Sequence, residues 1–195
     1  MVIPFVNKGE TEPMRIDAQR NRDRVLVAAA AAFAEEGLAI PVAEIARRAG
    51  VGTGTVTRHF PTKESLYEAI VLLRVEELVE HAHELAATKD PGTAFFDFLS
   101  FTVELGAASR GVAQALGGGG FDIEAASSRT GLHLAEVEQG LLARAQESGA
   151  VRSDVSFTDV KALIAGCLSR EQRGTDQAAR RRMIAIVSAG LRPED

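Results

Sequence analysis

Gly50 is the residue that most constrains how this chain folds, because it follows a short, regular apolar pattern. Four apolar residues before it recur at the spacing of one buried helical stripe: Val42, Ile45, Ala46 and Ala49. A glycine directly after such a stripe is typical of a left-handed C-cap, a backbone state that costs other residues roughly 1 kcal/mol or more. We therefore expect a helix over about residues 42–49 that ends in a sharp turn.

A second short helix is predicted over about residues 53–60. Val56 and Phe60 lie four apart and face inward. The opposite side carries small polar groups and one guanidinium: Thr53, Gly54, Thr57 and Arg58. Such a face lets the backbone approach a DNA groove while Arg58 reaches a phosphate or a guanine edge. The pair is built like a helix-turn-helix whose second helix enters the major groove.

The positive charge of the chain is local and surrounds this motif. The whole chain has a net charge of -5, yet residues 1–63 carry nine Lys and Arg against seven Asp and Glu, and the remainder carries 13 against 20. Phe60-Pro61 ends the second helix, Thr62 is a candidate N-cap, and Lys63 follows it, where an ammonium group can hold a phosphate. A further cluster lies in the arm and first turns of the first helix, and it either follows phosphates or is an ordinary solvated surface: Arg15, Arg20, Arg22 and Arg24.

These segments resemble the TetR family of bacterial repressors. The similar positions share their order and spacing: Val25-Leu26, Ala32-Phe33-Ala34-Glu35-Glu36-Gly37, Val42-Ala43-Glu44-Ile45-Ala46, Ala49-Gly50-Val51, Gly54-Thr55-Val56, His59-Phe60 and Lys63-Glu64-Ser65-Leu66. The resemblance implies an all-α homodimer in which three N-terminal helices bind double-stranded operator DNA. It also implies a C-terminal helical bundle that pairs the subunits and often holds a small inducer.

Three residues depart from the family pattern. Gly52 stands where a capping serine is usual, Pro41 where threonine is usual, and Thr57 where tyrosine is usual. Thr53 could take over the cap if the helix starts one residue later, and Pro41 fits a first helical position. The residues predicted to bind DNA are Arg22, Arg48, Thr53, Gly54, Thr55, Thr57, Arg58, His59 and Lys63.

Periodicity and breakers divide the chain into three regions. Residues 1–17 lack periodicity and are predicted to be a flexible tail, residues 18–63 the DNA-binding domain, and residues 64–195 the regulatory and dimerisation domain. Helices are expected over about residues 18–36, 63–88, 93–105, 123–148, 157–168 and 175–191. The helix from Lys63 links the two domains, so a tilt at one end would move the other.

Four of the nine phenylalanines fall within residues 95–101, which is too dense for one amphipathic stripe. One interpretation is a helix buried on several sides. The other is that some rings line a pocket for a small apolar or amphipathic effector. The candidates for that pocket are Phe95, Phe98, Phe101, Thr102 and Phe121. Phe121 follows Gly117-Gly118-Gly119-Gly120, which is either a plain flexible connection or an entry lid.

The last helices are apolar on more than one side, so one face of them is expected to meet a second copy of the chain. The candidates for this dimer interface are Leu163, Ile164, Ile184 and Val187.

No catalytic or metal-binding arrangement is visible, and we expect neither an enzyme nor a cofactor. His81 and His83 point to different helix sides, and the lone Cys167 sits in an apolar stripe. No run approaches the roughly 18 apolar residues of a membrane span, so a cytoplasmic protein without membrane contact is expected. A second hypothesis keeps the DNA anchor but makes the bundle a protein-interaction module without an inducer.

Overall fold

The computed structural model describes residues 11–108, 122–171 and 176–193, and within these ranges it contains helices but no strands. A single 3-10 turn, Gly37–Ala39, follows the first α-helix. The α-helices are α1 (Thr11–Glu36), α2 (Val42–Ala49), α3 (Thr53–His59), α4 (Lys63–Thr88), α5 (Pro91–Ala107), α6 (Ile123–Arg129), α7 (Leu134–Glu147), α8 (Phe157–Glu171) and α9 (Gln177–Leu191). The all-helical class predicted from the sequence is confirmed.

The chain divides into two compact units, residues 1–69 and 70–195. The boundary lies inside α4, a little later than the position predicted from the sequence. Among the described residues, no helix is long and apolar enough to cross a bilayer.

The core of the first unit is formed where α1, α2 and α3 pack against one another. Its fully buried side chains come from all three helices and from the start of α4: Val25, Phe33, Ile45, Val56 and Leu66. Of the stripe predicted on α2, Ile45, Ala46 and Ala49 are buried and Val42 is half-buried. Gly50 adopts the expected left-handed conformation, with φ 65°, and its N–H donates to the carbonyl groups of Ala46 and Arg47. A side chain at Gly50 would collide with the guanidinium of Arg24.

The core of the second unit is built around α5, which packs against α7, α8 and α9. Leu99 and Val103 of α5 are buried with Leu168 of α8. Phe95, Phe96 and Phe98 are also buried, so three of the clustered phenylalanine rings are core residues of this unit. Phe101 remains half-buried.

Several helix boundaries differ from the sequence predictions. α1 begins at Thr11, within the stretch predicted to be a tail, whereas residues 1–10 lie outside the described residues. α5 begins at Pro91, before the expected start near residue 93, because Asp90 is the N-cap: its carboxylate accepts a hydrogen bond from the Thr93 N–H at 3.0 Å. The helix expected over residues 123–148 is two helices, separated where Gly131 and His133 have positive φ.

Candidate DNA-binding site

The outer face of α3 is open to solvent. Thr53, Gly54, Thr57 and Arg58 are exposed, and Thr55 and His59 are half-buried. Val56 and Phe60 are buried and hold the opposite face against the first unit. A seven-residue helix is too short to be stable alone, so this packing is what keeps the polar face presented.

The start of α3 agrees with the sequence prediction, but no side chain caps it. Gly52 is the N-cap, with an extended backbone and without a side-chain cap, and α3 begins at Thr53. The helix does not start one residue later, which was the condition for a Thr53 cap, so Thr53 is the first residue of α3 and not its N-cap. Pro41 is likewise the N-cap of α2, not its first helical residue. The Thr57 hydroxyl lies 3.3 Å from the carbonyl oxygens of Thr53 and Gly54, so it donates to its own helix.

Gly54 has no neighbour that requires it to be a glycine. A Cβ at this position would meet no protein atom within 4 Å, and glycine is a poor helix former. The packing of the first unit therefore does not explain this residue. A glycine on an exposed helical face instead allows the backbone of an outside molecule, or a phosphate, to approach closely.

Lys63 and Arg22 are tied to the motif by contacts within the unit. The Lys63 ammonium donates to the carbonyl oxygen of Ile40 and is half-buried, so it fastens the start of α4 to the segment before α2. The Arg22 guanidinium lies 5.5 Å from the centre of the Phe60 ring, a cation-π contact. Thr62 caps α4, as predicted, by accepting a hydrogen bond from the Ser65 N–H at 3.0 Å.

Arg48 is surrounded by carboxylates. Its guanidinium pairs with Glu35 at 2.8 Å, with Glu36, and with Glu44 at 3.0 Å. Hydrogen bonds from Arg47 and Arg48 lower the pKa of Glu44 to about 2. The charge of Arg48 is thus compensated inside the unit, where it connects α2 to the end of α1. The sequence does not reveal this, because two of the partners lie on another helix.

We predict that Arg48→Ala lowers the thermal unfolding midpoint more than Arg47→Ala does. Within the described residues Arg47 pairs with Glu44 alone, at 2.7 Å, whereas loss of Arg48 leaves three carboxylates without their shared cation. The difference between the two unfolding midpoints should shrink in high salt, because the electrostatic screening length falls from about 10 Å at 0.1 M to about 3 Å at 1 M. Thermal unfolding of both variants at these two salt concentrations measures it, and equal midpoints at low salt would contradict the assigned role.

The residues predicted to bind a ligand are not brought together in one place. Phe95 and Phe98 line an apolar cavity with Glu138. Phe101 instead lines an open groove of about 410 Å³, with its ring 4.1 Å from that of His81. Thr102 is buried and its hydroxyl donates to the Phe98 carbonyl at 2.9 Å. Phe121 and the glycine run before it lie outside the described residues.

Glu138 is the residue of this region that the sequence analysis missed. It falls in the buried stripe of α7, four residues after Leu134 and three before Leu141, and both leucines are buried. The sequence signal that could have found Glu138 is an acidic residue at the helical spacing of a buried apolar stripe.

The predicted dimer residues differ in exposure. Leu163 is 37% exposed, and Ile164 and Val187 are half-buried. Ile184 is buried within its own unit, whereas Ile186, which the sequence analysis did not choose, is 72% exposed. Ile186 therefore offers more apolar surface to a second copy than Ile184 does.

Two family descriptions match the chain, one in each half. Residues 25–70 match "Bacterial regulatory proteins, tetR family" and residues 90–193 match "Transcriptional regulator SbtR-like, C-terminal domain".

Solved structures give the same result. A TetR transcription regulatory protein from Mycobacterium vanbaalenii is 42% identical, with 93% of this chain and 100% of that chain covered and a TM-score of 0.67. A TetR transcriptional regulator from Streptomyces coelicolor is 35% identical, with 89% and 99% covered and a TM-score of 0.67. A protein named RolR, crystallised with resorcinol, is 20% identical, with 91% and 90% covered and a TM-score of 0.58, and shows a shared fold.

Proposed function

Because the chain belongs to the TetR family of bacterial transcriptional regulators, we propose that it is a repressor that leaves its operator when a small molecule binds. The observation that carries the proposal is the outer face of α3. This face is polar, holds a guanidinium, and has at Gly54 a gap that none of the described residues fills. A glycine without a side chain, near Arg58 on the same exposed face, suits a helix that lies against base edges and phosphates.

In the proposed complex α3 enters the major groove. Arg58 reads a guanine edge, since a guanidinium can donate two parallel hydrogen bonds to guanine O6 and N7. Thr53, Thr55, Thr57 and His59 lie beside it on the same short helix. Lys63 keeps two further ammonium hydrogens for a phosphate after donating to Ile40. We assign Arg22 to phosphate contact and Arg48 to the internal structure of the unit.

Two copies of α3 are needed to read an operator. The exposed apolar side chains of α8 and α9, Leu163 and Ile186, supply a surface on which a second copy can pair. We propose that Ile164 and Val187 complete this surface in place of Ile184. A two-fold pair that sets the α3 helices roughly 34 Å apart would match successive major grooves of a pseudo-palindrome.

The effector is proposed to bind the second unit. Described side chains form there an apolar cavity and a separate open groove, and the cavity walls include Phe95 and Phe98. A ligand that alters the separation of the two α3 helices would weaken DNA binding. If it weakens that binding tenfold, it must itself bind the DNA-bound form tenfold more weakly, a coupling of about 1.4 kcal/mol.

We predict that Arg58→Ala weakens operator binding by about tenfold to a hundredfold and relaxes the sequence preference, because it removes a base-reading side chain. Fluorescence anisotropy with operator and scrambled duplexes measures both effects. Lys89→Ala is the matched control: it removes one exposed positive charge at the end of α4, within the second unit. Equal affinities for Arg58→Ala and the unmodified protein would contradict the proposed docking.

A further inference from the structure

A small cavity in the second unit is lined by apolar residues and one glutamate. It measures about 10 Å³ and is bounded by residues of α5, α7 and α8. Six of its lining residues are apolar: Phe95, Phe98, Leu99, Phe157, Val160 and Ile164. The seventh is Glu138, the one acidic residue of the set. Glu138, Phe157 and Ile164 of this lining are half-buried, and the other four residues are buried.

The Glu138 carboxylate has no compensating group within the described part of the chain. It makes no hydrogen bond and no ion pair there, in contrast to the carboxylates around Arg48. Lys161 of α8 is paired with Glu124 and lies 5.6 Å from the centre of the Phe157 ring. Burial is also the sole cause that raises the pKa of Glu138, to about 7. A carboxylate that is partly withdrawn from water without a partner costs stability.

The chemistry of the lining matches one class of ligand. Aromatic rings attract organic cations through their electron-rich faces, and a carboxylate that is partly shielded from water forms strong hydrogen bonds with an ammonium group. Three phenylalanines and one glutamate therefore combine both modes of recognising a protonated amine. A void of this size holds roughly one water molecule, and an ammonium head is of similar size.

We propose that this cavity binds the protonated amino group of a small apolar amine, with Glu138 as its counter-ion and the rings of Phe95, Phe98 and Phe157 around it. The apolar body of the amine extends past Glu138 and Phe157, on the side away from the proposed dimer residue Ile164, and side chains there move to admit it. The inference deepens the proposed function, on which the regulatory role of such an amine rests.

The test compares two probes that differ in the head group alone, benzylamine and benzyl alcohol. Their binding to the full chain, without DNA, is measured by calorimetry or ligand-detected NMR. We expect benzylamine to bind more tightly than benzyl alcohol, and Glu138→Gln to weaken benzylamine about tenfold or more while sparing the alcohol. Glu147→Gln removes an exposed carboxylate from the same helix and should leave both affinities unchanged. Thermal unfolding verifies that each variant is folded.

Equal affinities for the amine and the alcohol, an unchanged benzylamine affinity in Glu138→Gln, or no binding of benzylamine would each overturn the inference. DNA affinity is measured separately. A protein that binds benzylamine through Glu138 but recognises no DNA sequence would overturn the proposed function and leave the amine site standing. A protein that recognises a DNA sequence but does not bind benzylamine through Glu138 would overturn the amine site and leave the proposed function standing.

Discussion

Replacing Gly54 with leucine is expected to abolish specific DNA binding without harming the fold. No protein atom lies within 4 Å of a Cβ at this position, so the new side chain has room in the free protein. Leucine also favours a helix more than glycine, by up to about 1 kcal/mol. In the complex, the same side chain would hold α3 away from the groove. Operator affinity should then fall towards the non-specific level, a loss on the order of a thousandfold.

Gly140→Leu is the matched control for this variant. Gly140 is an exposed glycine within α7, and a Cβ there likewise meets no atom within 4 Å. Both variants should keep or raise the unfolding midpoint, and the Gly54 variant alone should lose operator affinity in an anisotropy titration. If Gly54→Leu binds the operator as tightly as the control does, α3 does not approach DNA by this face.

Glu138→Gln is expected to stabilise the protein at alkaline pH and to have little effect at acidic pH. The folded-state pKa of Glu138 is raised from 4.5 to about 7, so the folded protein holds this proton more tightly than the unfolded chain does. Ionisation of Glu138 therefore destabilises the fold as the pH rises through this interval. The full penalty applies above about pH 7 and vanishes below about 4.5, and its upper value is about 3 kcal/mol.

Urea unfolding of Glu138→Gln and of the unmodified protein, at several pH values from 4.5 to 8, measures the difference between their free energies of unfolding. The free energy of unfolding of Glu138→Gln should exceed that of the unmodified protein by a growing amount as the pH rises. Glu147→Gln, at an exposed site on the same helix, should show no such trend. A difference that is constant with pH would mean that Glu138 is well solvated.

The DNA-binding half of the fold could be predicted from the sequence because its determinants are local. Gly50 and the spacing of Ile45 and Ala49 specify a helix end and a buried face within a few residues. Val56 and Phe60 then fix which side of α3 remains exposed. Such patterns depend on helical geometry and need no knowledge of distant contacts.

The features that the sequence analysis missed depend on contacts between distant segments. The carboxylates around Arg48 come partly from α1, and the acceptor of Lys63 is a backbone carbonyl at Ile40. The apolar surroundings of Glu138 come from residues of α5 and α8, which lie far from it in the sequence. The start of α5 differs from the expected one for a local reason, because the Asp90 cap places it at Pro91, ahead of the first apolar residues of the helix.

The most direct test of the central claim is selection of bound duplexes from a random DNA pool with the purified protein. The claim is that the outer face of α3, presented twice, reads DNA. We expect an enriched pseudo-palindrome with half-site centres about one helical turn apart, bound by two copies of the chain. Absence of an enriched sequence, or a single half-site bound by one copy, would contradict it.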